Sequence, residues 1–178
     1  RVVPEQRNKK ILDGVRAAHM VKILDEEIAS VEEEMLQIIN SDPSILRNYE
    51  LLNSIKGIGT INAMNTIIHT NNFQAFETAR QYACYLGIAP FEHSSGTSIK
   101  GKTRVYPTGA KLLKADLSQA ANSAIVWDKE MKEYYERKRK EGKAYGVVLN
   151  AVKFKLVGRM FAVVKRGTPF VELMTYKK

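Results

Sequence analysis

Residues 87 to 96 read Gly-Ile-Ala-Pro-Phe-Glu-His-Ser-Ser-Gly, and five cations with no acid lie between His93 and Ala115. Two adjacent serines with a histidine and a glutamate, at the edge of a basic tract, suit a hydroxyl that attacks a phosphodiester held by lysines and arginines. A serine hydroxyl is a weak nucleophile at its free pKa, so it needs a base or a metal beside it and cations around the developing charge. Ser95 and its neighbour Ser94 are the candidate nucleophiles, and His93 and Glu92 the candidate proton acceptors. Alternation along an extended segment puts His93 with Ser95 and away from Ser94. Lys100, Lys102 and Arg104 alternate as they would on one face of a ribbon laid along a phosphate backbone. On residue chemistry alone, a polar loop serine that caps a turn is the better explanation of Ser95, and both readings stay open at this point.

The elements around this stretch are helical. Ile45, Tyr49, Leu52 and Ile55 share one side of a helix that runs into Lys56-Gly57-Ile58-Gly59, and Thr60 is expected to cap a second helix bearing Ile61, Met64, Ile67 and Ile68. That is a helix-hairpin-helix signature over 43–69. Its glycines allow a tight turn, and the amides opening the second helix, aided by the helix dipole, suit a phosphate oxygen. Lys56, Gly57, Gly59 and Thr60 are therefore candidate DNA-backbone contacts, and a contact of that kind carries no sequence preference. A tight turn between two core helices is the competing explanation. His69 is expected to act at the C-terminal end of the second helix.

Helical spacing continues through Phe73, Phe76, Ala79, Tyr82, Ala83 and Leu86 up to Gly87, with Cys84 and Tyr85 in or beside the core. Ala89 to Pro107 has the composition of a long functional loop or short hairpin. An alanine-rich helix follows over 110–126, where Lys111 adds a cation and Ala115, Ala120, Ala121 and Ala124 permit close packing. Asp128 is expected to cap a charged helix from Lys129 to Lys140 that Gly142 ends, its Arg137-Lys138-Arg139-Lys140 run reading as a solvated helix end. The last helix runs from Tyr145 to Lys165 with Val148, Val152, Leu156, Met160 and Val163 inward. The fold class is all-α, with one long basic loop or short ribbon.

At the other end, Val21, Leu24, Ile28, Val31, Met35 and Ile38 keep a 3-4-3-4-3 spacing, which places them on one stripe of a long, coiled-coil-like helix. Residues 1–42 read as a helical arm that pairs with an upstream helix, forms a short coiled coil between protomers or packs onto the domain, and 43–178 as the domain it precedes, with Asp42 and Pro43 opening the next helix. The chain begins at Arg1 without a methionine, which suggests a C-terminal part of something longer. With 178 residues, no apolar run long enough to span a bilayer, no signal peptide, one cysteine and three scattered histidines, neither a membrane protein, a disulfide scaffold nor a structural zinc site is expected. The expected location is the cytoplasm, at the nucleoid. Net charge runs from −3 over residues 1–50 through +3 over 51–128 to +9 over 129–178. This gradient is the electrostatic footprint of a polyanion binder.

Leu52-x-x-Ile55-x-Gly57-Ile58-Gly59, then Phe73 to Tyr85, then Leu86-Gly87-Ile88-Ala89-Pro90-x-Glu92-His93-Ser94-Ser95-Gly96, then Gly101-x-x-Arg104 and the alanine-rich helix, resemble the C-terminal domain of insertion-sequence transposases related to the pilin-gene invertase Piv. The likeness covers roughly residues 50 to 170. It implies a transposase or recombinase in which a serine of the Ser-Gly pair, matching Ser95, attacks a DNA phosphodiester. It also implies an RNase-H-like N-terminal domain with a four-carboxylate-type site for Mg²⁺. That site maps onto no residue of this chain, so no metal or cofactor is expected within it, and the isolated chain is expected to be inactive. Some relatives choose their DNA partners with a guide RNA, and the residues here leave its use open. A non-catalytic helix-hairpin-helix module for duplex or branched DNA is the alternative.

Overall fold

The computed structural model describes residues 4–91, 94–95, 99–100, 104–105 and 109–171, with the backbone alone for 4–12, 94, 95, 99, 100 and 104. The fold is all-α: seven helices and four two-residue strands among the described residues. None of these helices is long and apolar enough to cross a membrane. The chain divides into two compact units, residues 1–43 and 44–178.

The first unit is one helix, α1 (Pro4–Ser41). Its stripe is open to solvent, with Val21, Leu24, Ile28, Val31 and Ile38 between 53% and 65% exposed. Propensity and surface pairs such as Lys22–Glu26 at 3.7 Å support the helix locally.

The second unit is built around α5 (Lys111–Trp127) and α7 (Tyr145–Arg166), with α6 (Lys129–Lys140) packed on both. α3 (Thr60–His69) packs on α5, and α4 (Ala79–Tyr85) on α7. α2 (Pro43–Asn53) begins at the expected proline and contributes Leu51 and Leu52 to the core. Ala120, Ala121 and Ala124 are buried on α5, and Val148, Val152, Leu156, Met160 and Val163 on α7, as their periodicity requires. Ala115 is exposed and takes no part in that packing. Burial pushes the Tyr82 phenol up to about 12.

Two further local expectations are overturned. The helix expected from Phe73 to Leu86 is only α4, because Asn71, Asn72 and Phe73 take left-handed φ values of 46°, 53° and 66°. Polar side chains stabilise that break: Asn48 Nδ2 donates to Asn72 Oδ1 at 2.8 Å, Asn72 Nδ2 to Ser44 Oγ at 3.1 Å, and the Phe73 amide to Thr70 Oγ1 at 3.0 Å. Helix restarts at Thr78, whose side chain and that of Gln81 form a reciprocal capping box. Secondly, Thr60 is the first residue of α3 and not its cap; Gly59 holds the N-cap position with no side-chain cap.

Candidate nucleic-acid interface

The turn between α2 and α3 shows how its two glycines differ. Gly57 has φ +94°, and a Cβ there would stand 2.6 Å from Ala120 O and 2.7 Å from Ala124 Cβ. It is thus glycine for two reasons, a left-handed backbone and close approach to α5. Gly59 has φ −105°, open to any residue, and its Cβ would meet empty space. With no side chain capping α3, its first-turn amides keep their outward bonding capacity, the physical basis of anion binding at a helix start. Thr60 Oγ1 accepts from Tyr49 Oη at 3.3 Å, and Lys56 is exposed on the turn. His69, last in α3, has Nδ1 3.2 Å from Tyr85 Oη.

The serine-bearing segment is an antiparallel ribbon. β1 (Pro90–Phe91) pairs with β4 (Arg104–Val105), and β2 (Ser94–Ser95) with β3 (Ile99–Lys100). Ser94 lies opposite Lys100 and Ser95 opposite Ile99, while Phe91 lies opposite Arg104. Two residues separate the pairs on the outgoing side and three on the return side, so a single face shared by Lys100 and Arg104 does not follow from the register. His93, Glu92 and Lys102 lie outside the described residues.

The helical core fixes the base of the ribbon. Ile88 and Ala89 are fully buried, and their segment is clamped from two helices: Lys114 Nζ donates to Gly87 O at 2.8 Å and Asn150 Nδ2 to Ile88 O at 2.8 Å. Arg80 Nη2 donates to Pro90 O at 3.3 Å, with its guanidinium 5.7 Å from the Phe91 ring centre. On the return side Gly109 passes so close to α4's end that a Cβ would lie 2.7 Å from Leu86 O. Lys111, exposed at the start of α5, follows directly. The first pair of the ribbon is therefore anchored in the core, and the serines sit on the second pair beyond it.

Sequence reading missed two features of this region. Lys153, 6% exposed, interrupts a buried row with Leu149 and Val157 on α7; a lysine at four-residue spacing from both was the available signal. The other is Arg159, whose Nη1 lies 2.5 Å from Asp128 Oδ2 and Nη2 2.6 Å from Glu130 Oε2. Asp128 also caps α6 as expected, accepting from the Met131 amide at 2.9 Å. The Arg137–Lys140 run is largely solvated, and Lys138, paired with Glu141 at 2.7 Å, holds that carboxyl below its usual range. Among the described residues no three His, Cys, Asp or Glu side chains are grouped to hold a metal.

Comparison with known proteins bears on the same stretch. Residues 49–136 match the family model described as the transposase IS116/IS110/IS902 family. The chain is 26% identical over 147 residues to a pilin gene-inverting protein of Moraxella bovis, covering 82% of this chain and 45% of that protein. It is 28% identical over 152 residues to an uncharacterized 43.6 kDa protein of insertion element IS110 from Streptomyces coelicolor, covering 84% and 37% respectively. A probable family 20 transposase of Pseudomonas aeruginosa is 32% identical over 76 residues, 43% of this chain and 21% of that protein. The chain thus spans less than half the length of these curated relatives.

Proposed function

We propose that this chain, whose residues 49–136 match the family model described as the transposase IS116/IS110/IS902 family, holds DNA by its phosphate backbone and supplies the serine nucleophile for strand transfer. The observation that carries this reading is the continuity of that match: it spans the α2–α3 turn, the ribbon and the basic start of α5, with Ser94 and Ser95 on the ribbon across from Lys100 and Ile99. The α2–α3 turn acts as a helix-hairpin-helix grip: the uncapped start of α3 and exposed Lys56 take one phosphate, and Thr60 borders it. Lys100, Lys102, Arg104 and Lys111 clamp phosphates near the scissile bond.

In the step itself Ser95 Oγ attacks phosphorus and loses its proton to a neighbouring base, for which His93 stands next in the chain but one. The P–O bond to one DNA strand breaks, and its oxygen leaves as a hydroxyl after taking up a proton. One phosphoester bond is made for each one broken, so the serine link conserves the energy needed to rejoin another strand. Cations around the phosphate favour this transition state because charge develops on its non-bridging oxygens. The exposed stripe of α1 from Val21 to Ile38 serves self-association, since contiguous apolar surface of this kind marks contact sites.

The test uses a full-length parent protein with this segment and a nicked suicide DNA substrate. Ser95→Ala is expected to abolish strand exchange and leave DNA binding nearly intact, and mass spectrometry of the peptide from Phe91 to Lys100 is expected to carry the nucleotide adduct on Ser95. An adduct on Ser94, which shares its rung with Lys100, moves the nucleophile by one residue. Full recombination by Ser95→Ala and by Ser94→Ala would reduce the region to a DNA-binding module.

A further inference from the structure

Beside the base of the ribbon lies a groove of about 660 Å³ with apolar walls that include Ile88, Pro90, Val105, Val147 and Phe154. Its lining also includes Lys114, Lys153 and Lys155. Lys153 Nζ donates to Ser118 Oγ at 2.9 Å, and Lys155 Nζ lies 4.7 Å from the Tyr134 ring centre. Among the described residues none of these three ammonium groups has a carboxylate partner. A buried cation without an anion is unfavourable in the folded protein, and a second cation beside it worsens this. Burial, and after it the charge of Lys114, lower the Lys153 pKa.

Other parts of the groove share its polarity. Gly146 and Val147 of α7's first turn line it, and no side chain caps that helix, so its positive end adds to the attraction for an anion. The groove combines lysines from two helices, which suit a phosphate, with an apolar wall for something flat and uncharged attached to it. The volume lies in the range of small-ligand clefts and accommodates a single nucleotide. Bases of an intact duplex are stacked inside and cannot enter such a groove, whereas an unpaired one can.

We infer that this groove takes one unpaired nucleotide of a nucleic-acid strand, with its phosphate among Lys114, Lys153 and Lys155 and its base against Val147 and Phe154. The inference rests on the reading of this region as one that acts on DNA, because strand transfer exposes unpaired nucleotides next to the scissile phosphate. Lys153, bonded to Ser118 and beside no carboxylate among the described residues, then takes its counter-ion from the strand.

The experiment titrates the 178-residue chain with fluorescein-labelled single-stranded DNA, single-stranded RNA and duplex DNA of one sequence at several salt concentrations. Lys153→Met keeps the volume of the side chain, and Val147→Glu puts a negative charge on an exposed groove position where folding is insensitive to it. Each is expected to weaken binding of an unpaired strand by about tenfold, with the duplex changed less than twofold. Lys153→Met is also expected to reduce the salt slope by about 0.7, the value for one single-strand phosphate. Loss with DNA alone, or with RNA alone, identifies the strand; loss with both assigns the groove to the shared phosphodiester. If Lys153→Met does not fold, Val147→Glu decides. Unchanged single-strand affinity in the folded variants overturns the groove and leaves the DNA reading standing, while a wild-type chain that binds no nucleic acid removes both.

Discussion

Arg159 and Lys153 lie six residues apart on α7, and both carry a positive charge into the body of the domain, yet they are treated in opposite ways. Arg159 is 12% exposed and meets two carboxylates, Asp128 and Glu130, with its guanidinium 4.4 Å from the Phe170 ring centre. Lys153 is more deeply buried and meets a serine hydroxyl, with another ammonium acting on it. The first cation is compensated inside the chain and ties α6, α7 and the segment after α7 together. The second meets no carboxylate among the described residues, an arrangement that costs stability. The difference separates a charge that serves the structure from one kept for a partner.

The strongest way to break this comparison is to delete the compensated cation. Arg159→Ala leaves the Asp128 carboxylate buried at 2% exposure without its partner, and is expected to destabilise the domain by about 2–4 kcal/mol in chemical denaturation. A loss within about 0.5 kcal/mol shows that the α6 cap alone satisfies Asp128, and the pair is then incidental.

A smaller effect of opposite sign is expected from Lys153→Met. Removing an uncompensated buried charge at constant volume should leave the melting temperature unchanged or raise stability by up to about 1 kcal/mol. A marked drop in the melting temperature means that the bond to Ser118 stabilises the fold, and Lys153 joins Arg159 as a structural residue.

The most delicate test is titration. The Lys153 pKa is lower in the folded chain than its ordinary 10.5, so between those two values the unfolded chain binds more protons. Stability should therefore rise with pH through that window, by at most about 1.4 kcal/mol per unit, and be level, at its lowest, once pH is below the folded pKa. Tyr82 acts the other way above its ordinary 10.0, because its phenol stays protonated in the fold up to about 12. The rise is thus read between neutral pH and about pH 10 by denaturant midpoints, and it should be missing in Lys153→Met. An identical profile in both proteins assigns the alkaline dependence elsewhere.

Much of the helical framework follows from local residue patterns. Three- and four-residue spacing marks α1, α2 and α7, and alanine-rich composition α5; Pro43 opens α2; Asp128 caps α6; and Gly167, at φ 69°, ends α7 one residue beyond the expected Lys165. These signals act within one or two turns, and a linear reading captures them. The Thr78–Gln81 capping box was equally local and was obscured by apolar spacing that ran on through Phe73. The serine pair and the basic tract were visible as residue types, and the turn at Gly57 as a glycine pattern.

What only the tertiary structure decided depends on residues far apart in the chain. The reason for Gly57 lies in Ala120 and Ala124, and the break at Asn71–Phe73 is held by Ser44 and Asn48. Ser94 is paired with Lys100 rather than Ile99 in a backbone register that spacing alone leaves free by one residue. The pairing of Arg159 with Asp128, and the lack of a carboxylate beside Lys153 among the described residues, arise where α5, α6 and α7 pack together. Charge patterns in a sequence report how many cations a chain carries; whether a given cation is neutralised within the chain depends on which side chains the packed helices bring within about 4 Å of it.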